Sequence, residues 1–130
     1  MRMRFGNTVR IVIAVALPVA AGCASGPKDR LQGKWVGDAV DQFQPDQSIR
    51  AQGWASGTTF EFRGARVTIT IPAESPREGT FQVAAHNGDD LTVTFLRDQG
   101  VTDSAAFRFE GDRLRWLLGD GRSVLLKKVD

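Results

Sequence analysis

Apolar and polar residues alternate through most of the chain after residue 53, in short segments separated by turn residues. Leu91, Val93 and Phe95 follow the dipeptide Asn87-Gly88, which tolerates the positive φ values of a tight hairpin turn. Strict alternation places one set of side chains on each face of a β-strand. Repeated along the chain and joined mostly by short turns, such segments predict an all-β meander.

The predicted strands cover residues 31–40, 54–63, 66–71, 80–85, 91–95, 105–110, 113–118 and 122–128. Between the first two, residues 41–52 are rich in Gln and Asp and predict a polar loop with at most one helical turn. A flat sheet of these strands would expose a large apolar face and two open edges, and pairing the last strand with the first removes both. We therefore expect a small eight-stranded antiparallel up-and-down barrel.

The amino terminus has the order of an export signal. Three arginines precede an apolar run over residues 11–17, and Pro18 and small residues follow it. The run is too short for a membrane-spanning helix, which needs about 20 apolar residues. Residues 1–22 are therefore predicted to be a signal peptide.

Cys23 is the only cysteine in the chain and follows three small residues. Small side chains let a peptidase approach the backbone closely, and a cysteine at the cut can carry a thioether-linked diacylglycerol. This segment resembles the lipobox of bacterial lipoproteins. The resemblance implies a lipid on Cys23, a short tether over residues 23–30 and a domain over residues 31–130. The alternative is an ordinary signal peptide with an incidental cysteine.

Charge and the residue after Cys23 bear on location and partners. The residue after Cys23 is Ala24 and not Asp. By resemblance to enterobacterial lipoproteins, this implies an outer-membrane location in the cell envelope. Removing the three signal-peptide arginines leaves 14 basic residues against 15 acidic ones. A near-neutral domain lacks the basic surface that nucleic-acid binding requires. The expected partners are the membrane, through the lipid, and an envelope protein or a small apolar ligand.

Gly33-Lys34-Trp35 stands on the first predicted strand, before a long first loop and a meander that ends in a basic strand. This arrangement resembles the G-x-W signature of lipocalins and related calycin barrels. The resemblance implies that Trp35 closes one barrel end and that a basic side chain of the last strand, here Arg122, lies across its ring. The chain is shorter than typical lipocalins, and the three-residue motif supports fold far more than function.

No combination of residues predicts catalysis, a metal site or a cofactor. His86 is the only histidine and precedes the Asn87-Gly88 turn, which favours a solvated turn residue over a catalytic base. Metal sites need several converging His, Cys or carboxylate ligands, and acyl transfer needs a nucleophile beside a base. The sequence therefore predicts a protein that is not an enzyme.

Eight Phe and three Trp either line a ligand pocket or form the core. In so short a barrel the core interpretation is favoured, because side chains of that size occupy most of the interior. A shallow cup is expected where residues 41–52 cover one barrel end, with Trp54 and Phe43 at its rim. Two functions follow: a non-catalytic interaction or structural module or, alternatively, a lipocalin-like binder of a small apolar ligand or lipid.

Overall fold

The computed structural model describes residues 26–129. The predicted signal peptide and Cys23 lie outside these residues. Leu31 begins the compact unit that contains the sheet, and residues 26–30 belong to a separate unit. The elements are α1 (Pro27–Leu31), β1 (Gly33–Asp41), α2 (Pro45–Ser56), β2 (Thr59–Arg63), β3 (Arg66–Thr70), β4 (Arg77–Asn87), β5 (Asp90–Arg97), β6 (Thr102–Glu110), β7 (Arg113–Gly119) and β8 (Arg122–Lys128).

The eight strands within residues 26–129 form a closed antiparallel barrel in which each strand pairs with the next and β8 pairs with β1. The predicted all-β up-and-down barrel is therefore confirmed. Closure removes both sheet edges, as expected for a meander with one apolar face on each strand. The barrel end with the Gly64 turn between β2 and β3 is called the base, and the end covered by α2 is called the mouth.

Aromatic side chains pack against one another across the barrel interior. Phe60 is 2% exposed and meets Phe107 and Trp116 edge to face, with ring centroids 5.4 and 5.1 Å apart. Phe62 meets Phe81 in the same way at 4.9 Å. Such pairs add about 0.5–1.5 kcal/mol each to the free energy gained by burying the rings. These rings therefore form the hydrophobic core, as the sequence analysis predicted from the short barrel.

Two segments predicted as irregular are helical. Residues 27–30 of the predicted tether fall in α1, where the Arg30 amide donates to the Gly26 carbonyl at 3.0 Å. Residues 45–52 of the predicted loop belong to α2, which has 12 residues rather than a single turn. Trp54 and Ser56 are consequently helical, and the prediction of a strand from residue 54 was wrong.

Local sequence explains where α2 begins and ends. Pro45 occupies the first helical position, where its fixed φ suits a helix and its missing N–H leaves no donor unpaired. Asp46 in the first turn complements the positive end of the helix dipole. Gly57 ends the helix, and its amide donates to the Trp54 carbonyl at 3.2 Å.

Candidate functional site

The base of the barrel is built around Trp35. Its ring is 3% exposed, and Nε1 donates to the Leu31 carbonyl at 2.8 Å. Lys128 Nζ lies 5.1 Å from the centroid of the ring, within cation–π range. Gly33 leaves space for this lysine, because a Cβ at residue 33 would lie 3.2 Å from Lys128 Cε.

The prediction that Arg122 covers Trp35 was wrong. The register of β1 and β8 pairs Trp35 with Lys128, at the opposite end of β8 from Arg122. Six residues of strand separate the two basic side chains by about 20 Å. Arg122 lies instead at the mouth, where its Cζ is 5.5 Å from the centroid of the Phe43 ring.

At the mouth, α2 lies directly on the backbone of β1. A Cβ built at Gly37 would fall 2.0 Å from the carbonyl oxygen of Ala55, so only glycine permits this approach. The Gly37 amide donates to the Thr58 carbonyl at 3.1 Å, and Gln52 Nε2 donates to the Asp38 carbonyl at 2.9 Å. These contacts fix the position of the helix over the barrel.

Trp54 continues the aromatic core from the helix. Its ring stacks on Trp116 with centroids 5.7 Å apart and an angle of 25° between the planes. Trp116 in turn meets Phe60 in the interior. An unbroken series of aromatic contacts therefore runs from α2 to the centre of the barrel.

Beside Trp54 lies an open cavity of about 560 Å³, called here the mouth cup. Its volume falls within the range of about 300–1,000 Å³ typical of small-molecule sites. The structure brings the two rim residues predicted from the sequence, Phe43 and Trp54, to this one cavity. The lining residues are Phe43, Gln47, Arg50, Ala51, Trp54, Leu118 and Arg122.

Sequence reasoning missed Gln47, Arg50, Ala51 and Leu118 as lining residues and assigned Arg122 to the wrong end. The first three were missed because α2 was predicted as a loop. The signal that could have found the helix is the spacing from Pro45 to Gly57, which matches a proline at the start and a glycine after the end of a helix.

The lining of the mouth cup is apolar and cationic. Two arginines, Arg50 and Arg122, and one amide residue, Gln47, stand among its lining residues, and no acidic residue does. The outer surface of the barrel is different, because arginines there are paired. Arg113 Nη1, for example, donates to Asp38 at 2.6 Å, and this hydrogen bond holds the pKa of Asp38 below its ordinary value.

The described residues include few other side chains suited to catalysis or metal binding. Within residues 26–129 no three His, Cys, Asp or Glu side chains come together as metal ligands. His86 lies exposed on β4, opposite Leu91 of β5. No helix in this part of the chain has the length and apolar character needed to cross a bilayer.

Comparison of the chain with protein-family models, curated proteins and solved structures gave no significant match. The assignment of the fold therefore rests on the strand pairing, and the candidate site on the geometry of the mouth cup.

Proposed function

We propose that this protein is a lipoprotein of the cell envelope, held at the outer membrane by a lipid on Cys23, and that it acts as a non-catalytic interaction or structural module. The filled interior is the observation that supports a module over a carrier. Phe60, Phe62 and Phe107 are each at most 2% exposed, and Trp54 and Trp116 continue this packing to the mouth. Recognition would then use the outer surface and the mouth.

The absence of a catalytic role is part of the proposal. The single histidine lies exposed on a strand, and the lone cysteine would be blocked by the lipid. Several carboxylates on the outer surface of the barrel accept hydrogen bonds from arginines. Glu110, for example, accepts one from Arg115 Nε at 2.6 Å. These observations support a role in binding rather than in catalysis.

Detergent phase partitioning tests the lipid. The protein should enter the detergent phase, and Cys23→Ser should move it to the aqueous phase or leave it with an uncleaved signal. A Cys23→Ser variant that is processed normally and still resists a carbonate wash of the membranes would contradict the proposal. Conversion of Ala24→Ser, a similarly small change beside the cysteine, is the matched control and should leave partitioning unchanged.

A second candidate is a binder of small ligands, and the mouth cup is the observation that favours it. Because aromatic rings occupy the interior, the cup is the part of the described barrel best suited to a ligand. A fluorescent fatty-acid probe, titrated into the protein in nanodiscs against empty nanodiscs, should bind no tighter than about 10 μM. Saturable nanomolar binding that an unlabelled fatty acid displaces would instead make a lipid carrier the better proposal.

A further inference from the structure

Arginine pairing divides the described surface into two parts. Seven arginines in residues 26–129 have a carboxylate oxygen within 2.9 Å. The pairs are Arg63 with Glu61, Arg66 with Asp98, Arg77 with Glu74, Arg97 with Asp103, Arg108 with Asp90, Arg113 with Asp38 and Arg115 with Glu110. None of these seven arginines lines the mouth cup. The positive charge of each is balanced by the carboxylate beside it.

The two arginines of the mouth cup lack such a partner. The nearest carboxylate to Arg122 is that of Asp120, at 3.9 Å, and the Asp120 side chain is 90% exposed. Arg122 Nε is buried and has no hydrogen-bond acceptor within the described part of the chain. Arg50 forms no ion pair or hydrogen bond with any side chain of residues 26–129. Arg122 therefore has only a long contact with an exposed carboxylate, and Arg50 is solvent-exposed, so both arginines at this cavity have donors available to a ligand.

Apolar surface lies next to these charges. Arg122 covers the ring of Phe43, and Ala51, Trp54 and Leu118 supply the rest of the apolar lining, beside the polar side chain of Gln47. Trp54 stacks on Trp116, which joins the buried aromatic core, and this packing disfavours deep insertion of an extended acyl chain. A ligand that matches this lining is compact, has a flat apolar body and carries one anionic group.

We propose that the mouth cup binds an aromatic oxyanion, with its carboxylate held by Arg122 and Arg50 and its ring against Phe43 and Trp54. Guanidinium groups suit this role, because their planar array of donors matches the two oxygens of a carboxylate. The proposal rests on the second candidate function, a small-ligand binder, and adds to it the chemical class of the ligand and the residues that select the ligand.

The test compares 2-naphthoate with its neutral analogue 2-naphthalenemethanol. The full chain is held in nanodiscs, empty nanodiscs serve as the blank, and quenching of tryptophan emission reports binding. We expect 2-naphthoate to bind with a Kd of about 10–100 μM, weak enough for an open site. The neutral alcohol should bind at least tenfold more weakly, and added salt should weaken only the binding of the anion.

Variants locate the effect. Arg122→Gln and Arg50→Gln should each weaken 2-naphthoate binding about tenfold without changing the affinity for the alcohol. Arg122→Lys should recover part of the loss, because it restores charge without the planar donors. Arg63→Gln is the matched control, since Arg63 lies beside the Gly64 turn at the base with its side chain 76% exposed, and it should leave both affinities unchanged. Near-ultraviolet circular dichroism confirms that each variant is folded.

The outcomes separate this proposal from the function on which it rests. Equal affinity for the acid and the alcohol would overturn the anion site and leave a binder of neutral ligands. An Arg122→Gln variant with unchanged affinity for the acid would overturn the placement of the anion in the mouth cup. Absence of binding by either probe at millimolar concentration would overturn both the anion site and the second candidate function. The lipid anchor is decided separately by the partitioning of Cys23→Ser.

Discussion

Replacement of Gly37 by alanine tests how α2 is held over the barrel. The added methyl would lie 2.0 Å from the Ala55 carbonyl oxygen and 2.6 Å from the carbonyl carbon. Ordinary van der Waals contact begins at 3.4 Å, so the helix or the strand must move by more than 1 Å. Both neighbours are backbone, and the Gly37 amide is bonded to Thr58, so neither can yield without loss of other contacts.

Two effects of opposite sign set the magnitude. Forcing extra atoms into a packed site costs about 1–3 kcal/mol. Replacing a glycine in a strand returns about 0.5–1 kcal/mol, because the unfolded chain loses conformational freedom. The net loss in the free energy of unfolding should be about 1–2 kcal/mol, which for a domain of this size lowers the Tm by about 5–15 °C.

Urea denaturation and thermal melting, both followed by tryptophan emission, measure the effect. Gly53→Ala is the matched control, because Gly53 is an exposed position on the same helix with nothing within 4 Å of a built Cβ. Alanine there should raise stability by up to about 1 kcal/mol. If Gly37→Ala were as stable as the parent and kept its helical circular dichroism, the close packing of α2 on β1 would be refuted.

Three further predictions concern the base, the β4–β5 pairing and the response to acid. Trp35→Ala should cost about 3–5 kcal/mol in denaturant melts, the usual range for a buried aromatic; a loss below about 1 kcal/mol would show that Trp35 is not part of the core. Gly79→Ala should lower the Tm, because its Cβ would lie 2.0 Å from the Leu96 carbonyl oxygen, and a melt unchanged from the parent would contradict this contact. The hydrogen bond from Arg115 holds the pKa of Glu110 below its ordinary value. The unfolded state therefore binds more protons, so the stability from this pair is present above about pH 4.3 and is lost as the pH falls further, and Glu110→Gln should flatten that part of the profile of stability against pH.

The barrel could be predicted from the sequence because alternation specifies strand faces directly. Alternation alone places Phe81, Val93 and Phe107 on the inward faces of their strands, and all three lie in the core. Parity fails where a strand is irregular. Alternation places Ala85 inward with Phe81, but Ala85 is exposed, because the register of β4 shifts between Val83 and Ala85 and reverses the faces beyond.

The mouth was harder to predict, for two physical reasons. The buried side of α2 is made by Ala51 and Ala55, which are too small to give an apolar helical period among polar neighbours. The position of Arg122 depends on the pairing register of β1 with β8, which passes through an irregularity near Gly37 that no local pattern indicates. Residues from two distant segments therefore form the cup, and only the folded chain brings them together.

Two hydrogen bonds join Gln32 to Gly64 and would carry part of a mechanical force applied at the amino terminus. Gln32 Nε2 donates to the Gly64 carbonyl at 2.9 Å, and the Gly64 amide donates back to Gln32 Oε1 at 2.7 Å. This pair lies at the base, immediately before β1. A mechanical load that the chain transmits to Gln32 would therefore be shared with the Gly64 turn before it reaches β1. The α2 helix and the mouth cup lie at the opposite end of the barrel, so a load borne by this pair would not pass through them.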